Sequence, residues 1–298
     1  MGSFARSTSG AGIAVLTGGM VMAAVPAPAT AATRVVRVPC SATALSEAIT
    51  AADASASDPL SLAPHCVYDI TTPATAATAL PVITRDLTLL GGPGTTIRRA
   101  PAASARFRLF DVAAGASLRM ADVSVLNGAT SGLGGGVQNA GHLVLSQVTL
   151  AGNTAADGGA IANLAGGRAT VSESVLRANT TTGVGGGGIL NAGTATIFAT
   201  DIRSNTAPIN GGGVNTQPSG TTQVIRTTVE HNTSGSLGGG LSNLGNTMLN
   251  RTVVRLNRGS AGGGLATANT NVLISRSLVR DNTPGNCSPR DTIAGCTG

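Results

Sequence analysis

The sequence predicts an all-β fold: a parallel β-helix solenoid with an N-terminal amphipathic capping helix. Three observations carry this expectation. Six glycine-rich segments recur from Gly134 onward, GGGVQN, GGAIAN, GGGILN, GGGVNT, GGGLSN and GGGLAT. Each is followed by an apolar run that closes on Asn153, Asn179, Asn205, Asn232, Asn257 or Asn282, at intervals of 26, 26, 27, 25 and 25. Asn127 lies a further 26 residues back and looks like an earlier turn. A period of this length with strand-like segments is the signature of a solenoid. Finally, rings are scarce, with one Tyr, four Phe and no Trp. A thin stack of Val, Leu, Ile and Ala does not need them.

Taken in order, residues 1–32 read as a signal peptide. Arg6 supplies the positive start, Ala11 to Val25 the apolar stretch, and Ala27-Pro28-Ala29 or Ala29-Thr30-Ala31 the small-x-small cleavage site. No second apolar run of spanning length follows, so a secreted monomer with no membrane span is expected. Four cysteines suit an oxidising compartment. Three pairings are possible. Because a solenoid separates its ends, Cys40–Cys66 and Cys287–Cys296 are expected, each worth roughly 2–4 kcal/mol. No CxxC is present, and neither metal nor cofactor is expected.

Residues 33–60 read as the cap. A short strand at Val35 to Val38 precedes a helix from about Ala44 to Ala54, in which Leu45, Ala48, Ile49 and Ala52 share one face. Thr43 is placed as its N-cap, with Glu47 in the first turn. Such a helix would cover the terminal cross-section of the stack. Residues 61–285 read as about eight to ten coils, and residues 286–298 as a disulfide-closed tail. Leu60-Ser-Leu, Val67-Tyr-Asp-Ile, Leu87-Thr-Leu-Leu and Phe107-Arg-Leu-Phe-Asp-Val are the expected strands of the first, irregular coils.

Within the repeats, the position three before each terminal asparagine is Leu150, Leu176, Ile202, Val229, Val254 or Val279. The position eight before is Leu145, Val171, Ile197, Val224, Leu249 or Ile274. These read as two inward ladders on different faces, with a corner between them. A third face is led by Val137, Ile161, Ile189, Val214, Leu241 and Leu265. A hydroxyl-rich row of Ser174, Thr200, Thr227, Thr252 and Ser277 runs five before the asparagine. Glycines are placed at a corner that needs positive φ. The terminal asparagines are placed at the opposite corner in the left-handed conformation, their amides bonding coil to coil.

So laid out, the chain resembles the right-handed parallel β-helix superfold of pectate lyases and many adhesins. Gly158-Gly-Ala-Ile161 with Leu176-Arg-Ala-Asn179 is similar to the GGAI and FxxN repeats of polymorphic outer-membrane proteins, with an aliphatic residue where that family prefers Phe. Cys40 and Leu45-Ser-Glu-Ala-Ile49 resemble the CSLREAI-type segment of secreted bacterial β-helix proteins. The resemblance implies the fold and leaves lyases, hydrolases and non-catalytic adhesins open.

The net charge of +6 comes from scattered arginines, with no Lys and no aromatic stacking platform, so nucleic acid is not an expected partner. Arg226, Arg251 and Arg276 form one partial row; Arg177, Arg203, Arg255 and Arg280 form a second, interrupted by Glu230. Guanidinium rows suit an acidic polysaccharide, and a cell-surface protein is the other expected partner; a solubilising outer face would look the same. Asp201 and Glu230, on adjacent coils and two residues out of register, are the candidate catalytic pair. Their expected separation of roughly 8 Å would suit an inverting glycosidase. Solvated side chains are the plainer reading of both. His65, His142 and His231 show no ligand spacing. Glycine runs without Lys are not phosphate loops. Unclustered acids and few aromatics favour a secreted, non-catalytic, adhesin-like or envelope-associated protein. A lyase or hydrolase acting on acidic polysaccharide, or a purely structural protein, are the alternatives.

Overall fold

The computed structural model of the chain describes residues 2, 34–55, 58–289 and 293–296. The segment read as a signal peptide lies outside the described residues apart from Gly2. The solenoid lies in the unit Thr33–Gly298.

The repeat folds because like residues stack on like. Successive coils build three long parallel sheets, of ten, nine and eight strands. Face 1 carries five-residue strands such as His142–Ser146, Arg168–Ser172 and Thr194–Phe198, paired in continuous register. Face 2 carries three-residue strands such as Thr149–Ala151, Val175–Arg177 and Asp201–Arg203. Face 3 carries Val137–Asn139, Ile161–Asn163 and their successors. The predicted ladders are buried from Leu145 to Leu249 on face 1, Leu150 to Val279 on face 2 and Val137 to Leu265 on face 3, while Ile274, the last predicted rung of face 1, is half-buried. Removing such aliphatic side chains from water contributes about 1.5–3 kcal/mol each, which offsets the ordering of a glycine-rich backbone.

A fourth set of strands was not expected. Thr154–Ala155, Thr180–Thr181, Thr206–Ala207 and Thr233–Ser234 form a four-stranded ribbon directly after the asparagines. The cross-section therefore has four strand segments rather than three. Two-residue strands leave no periodic hydrophobic trace, which is why the ribbon is silent in the sequence.

The corners also differ in detail. Between faces 1 and 2 the left-handed residues are Asp122, Gln147, Glu173, Ala199, Arg226, Arg251 and Arg276. Between face 2 and the ribbon they are Asn127, Gly152, Ala178, Ser204, His231, Leu256 and Asp281. Positive φ therefore falls on the residue before each terminal asparagine, contrary to expectation. Asn127 aligns with Gly152, one position ahead of the asparagine ladder, because Leu126 is in register with Ala151. The glycine corner is as predicted: Gly158 has φ +66, and a Cβ there would lie 2.5 Å from the Ile161 carbonyl oxygen.

The asparagines are buried, and their amides bond coil to coil as expected. Asn179 Nδ2 donates to Asn205 Oδ1 at 2.9 Å and to the Leu150 carbonyl at 3.0 Å, while Asn205 Oδ1 also accepts the Asn179 backbone N–H at 3.0 Å. The same set repeats from Asn153 to Asn282, and Asn286 Oδ1 closes the series at 3.1 Å. A second amide column, Asn139–Asn163–Asn191, is spaced at 2.7 and 2.8 Å. Burial of these amides is tolerated because their polar atoms are paired. The hydroxyl row behaves likewise: Ser174 Oγ accepts the Val148 N–H at 3.0 Å.

At the N-terminal end, Val36–Val38 is the first strand of face 1. The helix Ala42–Ala54 follows and buries Leu45, Ile49 and Ala52 against the core. Its N-cap is Ser41, whose side chain accepts the Ala44 N–H, so Thr43 lies inside the helix and Glu47 beyond the first turn. Asp53 ties the other end to the next segment, accepting the backbone N–H groups of Thr84 and Arg85 at 2.8 Å. Four strands of the early coils, Thr96–Arg99, Phe110–Val112, Ser117–Ala121 and Ser124–Leu126, are shorter than or additional to those expected. Cys40 pairs with Cys66 and Cys287 with Cys296, with Cα separations of 5.6 and 6.3 Å. Cys287 is in register with Leu265, so a disulfide forms the last rung of the face 3 ladder.

Candidate functional site: the arginine-bearing outer face

Face 2 has three-residue strands with the central residue inward, so the first and third residues point outward. The third-position column reads Arg98, Leu126, Ala151, Arg177, Arg203, Glu230, Arg255, Arg280. The second arginine row, Arg226, Arg251 and Arg276, lies on the left-handed corner at the opposite edge of the same face. Holding a non-glycine residue there costs about 1–2 kcal/mol, yet the corner accepts Gln, Glu, Ala and Arg equally. The scaffold thus sets the position and leaves the side chain free to vary.

Proximity in register does not make the arginines equivalent. Arg98 is held by Asp69 at 2.5 Å, which keeps that carboxyl below its usual range. Arg203 is engaged by Asp201 on its own strand. Arg255 places Nε and Nη2 each 2.8 Å from Glu230 Oε2. Arg280 is paired with Asp281. Arg226 lies over the Phe198 ring, 5.6 Å from its centroid, a cation–π contact. Among the described residues, the side chains of Arg177, Arg251 and Arg276 are exposed and make no ion pair or ring contact. Of the seven candidate arginines, these three are the uncommitted ones.

Asp201 and Glu230 do share this face. Asp201 is opposite Thr228, and Glu230 is opposite Arg203, so they are two residues out of register as expected. Burial pushes the Asp201 carboxyl up; Arg203 opposes this, and the Glu230 charge adds to it. Its Oδ1 is buried without a hydrogen-bond partner. Each carboxylate already has its own arginine, so their charges serve first to neutralise the column. His231 Nδ1 stands 4.0 Å from Glu230 Oε1; His65 and His142 lie on other coils. Among the described residues no cluster of three His, Cys, Asp or Glu side chains is placed to hold a metal ion.

Arg258, which the repeat pattern did not single out, joins the ribbon column between Thr233 and Thr283 and is exposed. Adding charge coil by coil would have found it. The four coils from His142 to Gly245 balance Arg168, Arg177, Arg203 and Arg226 against Asp157, Glu173, Asp201 and Glu230. The coils from Asn246 to Pro289 carry Arg251, Arg255, Arg258, Arg276 and Arg280 against Asp281 alone, a net charge of +4. Compared with protein-family models, with curated proteins and with solved structures, the chain matches none.

Proposed function

We propose that this chain is a secreted, non-catalytic β-helix protein that binds an acidic polysaccharide through the outer face of its C-terminal coils. In this reading the coil is right-handed, of the pectate-lyase type with adhesin-like repeats, and the helix Ala42–Ala54 caps it. The carrying observation is the placement of Arg251 and Arg276 in successive coils, uncommitted and exposed, beside the paired Arg255 and Arg280. Successive parallel strands lie about 4.8 Å apart, so the row meets a polymer that carries one anionic group per sugar and runs along the axis. The leader-like sequence of residues 1–32 and the two disulfides support an extracellular setting. No helix among the described residues is long and apolar enough to cross a membrane. Titration of the full chain with polygalacturonate tests the reading. Binding at low salt is expected, weakened about tenfold or more in Arg251→Ala/Arg276→Ala. No binding at low salt would refute it.

A hydrolase reading rests on one observation, the raised pKa of Asp201 beside Glu230, which suits a general acid. Release of reducing sugar from acidic polysaccharides, lost in Asp201→Asn, would establish it in place of the binding reading.

A further inference from the structure

The two most exposed large hydrophobic side chains among the described residues are Leu273, at 59%, and Leu278, at 57%. Both lie on the last coil. Leu256, at 45%, occupies the left-handed corner one coil earlier. These positions do not require leucine. The column of Leu273 holds Thr170, Thr196, Gln223 and Met248 in earlier coils. That of Leu278 holds Thr149, Val175, Asp201, Thr228 and Val253. The corner of Leu256 holds Gly152, Ala178, Ser204 and His231. Core packing therefore does not account for them.

Around the rim of the last coil, apolar and cationic residues alternate. Leu273 points out from face 1, Arg276 occupies the corner, and Leu278 and Arg280 point out from face 2. Arg251 and Arg255 stand directly behind on the preceding coil, in register with that rim. An acidic polysaccharide makes use of the arginines and has no use for the leucines. A second copy docking by the same rim would bring two net charges of +4 together, which electrostatics opposes. A surface that takes both features is one with anionic headgroups over an apolar interior. Leucines enter it, and arginines extend their charged ends to the headgroups.

We infer that the last coil docks onto an anionic phospholipid surface by the outer corner between faces 1 and 2, with Leu273 and Leu278 entering the interface and Arg251 and Arg276 contacting headgroup phosphates. The contact is peripheral. It goes beyond the glycan reading, sharing its arginines and adding the leucines.

Co-sedimentation of the full chain with vesicles tests it, using phosphatidylcholine alone and phosphatidylcholine mixed equally with phosphatidylglycerol. Binding to the mixed vesicles only is expected. Leu273→Ser/Leu278→Ser and Arg251→Ala/Arg276→Ala should each lower the partition coefficient about tenfold. The leucine variant should melt as the wild type does and keep its polygalacturonate affinity, which separates this inference from the glycan reading. No binding to anionic vesicles at low salt would overturn it, as would a leucine variant that partitions like the wild type. Polygalacturonate binding without vesicle binding would overturn it and leave the glycan reading standing.

Discussion

The coils from His142 to Gly245 and those from Asn246 to Pro289 use one scaffold with two surfaces. Both keep the aliphatic ladders, the glycine corner and the buried asparagines. In the first group arginine and carboxylate numbers match, and Arg203 and Glu230 each have an ion-pair partner. In the second, arginine outnumbers carboxylate five to one, and Leu273 and Leu278, at 59% and 57%, are more exposed than Val184 and Ile209 of the first, at 45% and 44%. The fold is therefore indifferent to what the outward columns carry. The proposed ligand binding rests on this local departure from balance.

A large effect is expected in what the two groups share. Asn205→Ala would leave the buried Asn179 N–H without its acceptor and remove the link to Asn232, a loss of about 3 kcal/mol. At the ladder's end, Asn282→Ala should cost about 1–2 kcal/mol, since that side chain is 8% exposed and water can substitute. Urea midpoints of the two variants measure the difference. Equal losses would mean that the ladder is no stronger in the middle than at its end.

Removing the terminal disulfide with Cys287→Ser/Cys296→Ser should cost about 2.5 kcal/mol, and removing Cys40–Cys66, which spans 26 residues, about 3.5 kcal/mol. Thermal unfolding of both double variants gives the order.

A smaller effect, of opposite sign, is expected at Asn215. It is fully buried on face 3, between Leu190 and Ser242 in register, and neither its Oδ1 nor its Nδ2 is bonded. Asn215→Leu should raise stability by about 1 kcal/mol, read as a higher urea midpoint.

The smallest effect concerns Asp201. Its carboxyl titrates above the usual value in the folded chain, so the folded state holds the proton more tightly than the unfolded state. That contribution to stability is complete below the unfolded pKa and is lost as pH rises through the folded one. Asp201→Asn should flatten the pH dependence of stability in that window. An unchanged profile would show that Arg203 cancels the burial effect.

Much of the scaffold is legible in the sequence because parallel in-register stacking repeats the same chemistry every coil. Val171 predicts Ile197, and Asn179 predicts Asn205. What stacking does not repeat stays hidden. The ribbon strands have two residues each. The early strand Ser117–Ala121 is not preceded by a GGG-type cluster. The left-handed residue before each asparagine varies from Gly152 to His231, so composition gives no sign of it. The candidate site was half legible. The positions of Arg251 and Arg276 follow from the period, whereas the engagement of Arg255 by Glu230 depends on register, and that of Arg203 on a rotamer within one strand. Leu278 is legible as an outward residue because the period already places Val279 inward, but the degree of its exposure is not.

The dependence of polygalacturonate affinity on salt tests the central claim, that function resides in the unbalanced coils, most directly. The slope of log affinity against log salt counts the cations that meet ligand charges, roughly 0.7–0.9 per contact for nucleic acids. Comparison of the wild type with Arg251→Ala/Arg276→Ala and with Arg168→Ala/Arg203→Ala separates the two groups of coils. The predicted result is a slope lower by about two contacts in the first variant and unchanged in the second. Equal slopes in all three proteins, or a loss confined to the second variant, would contradict it.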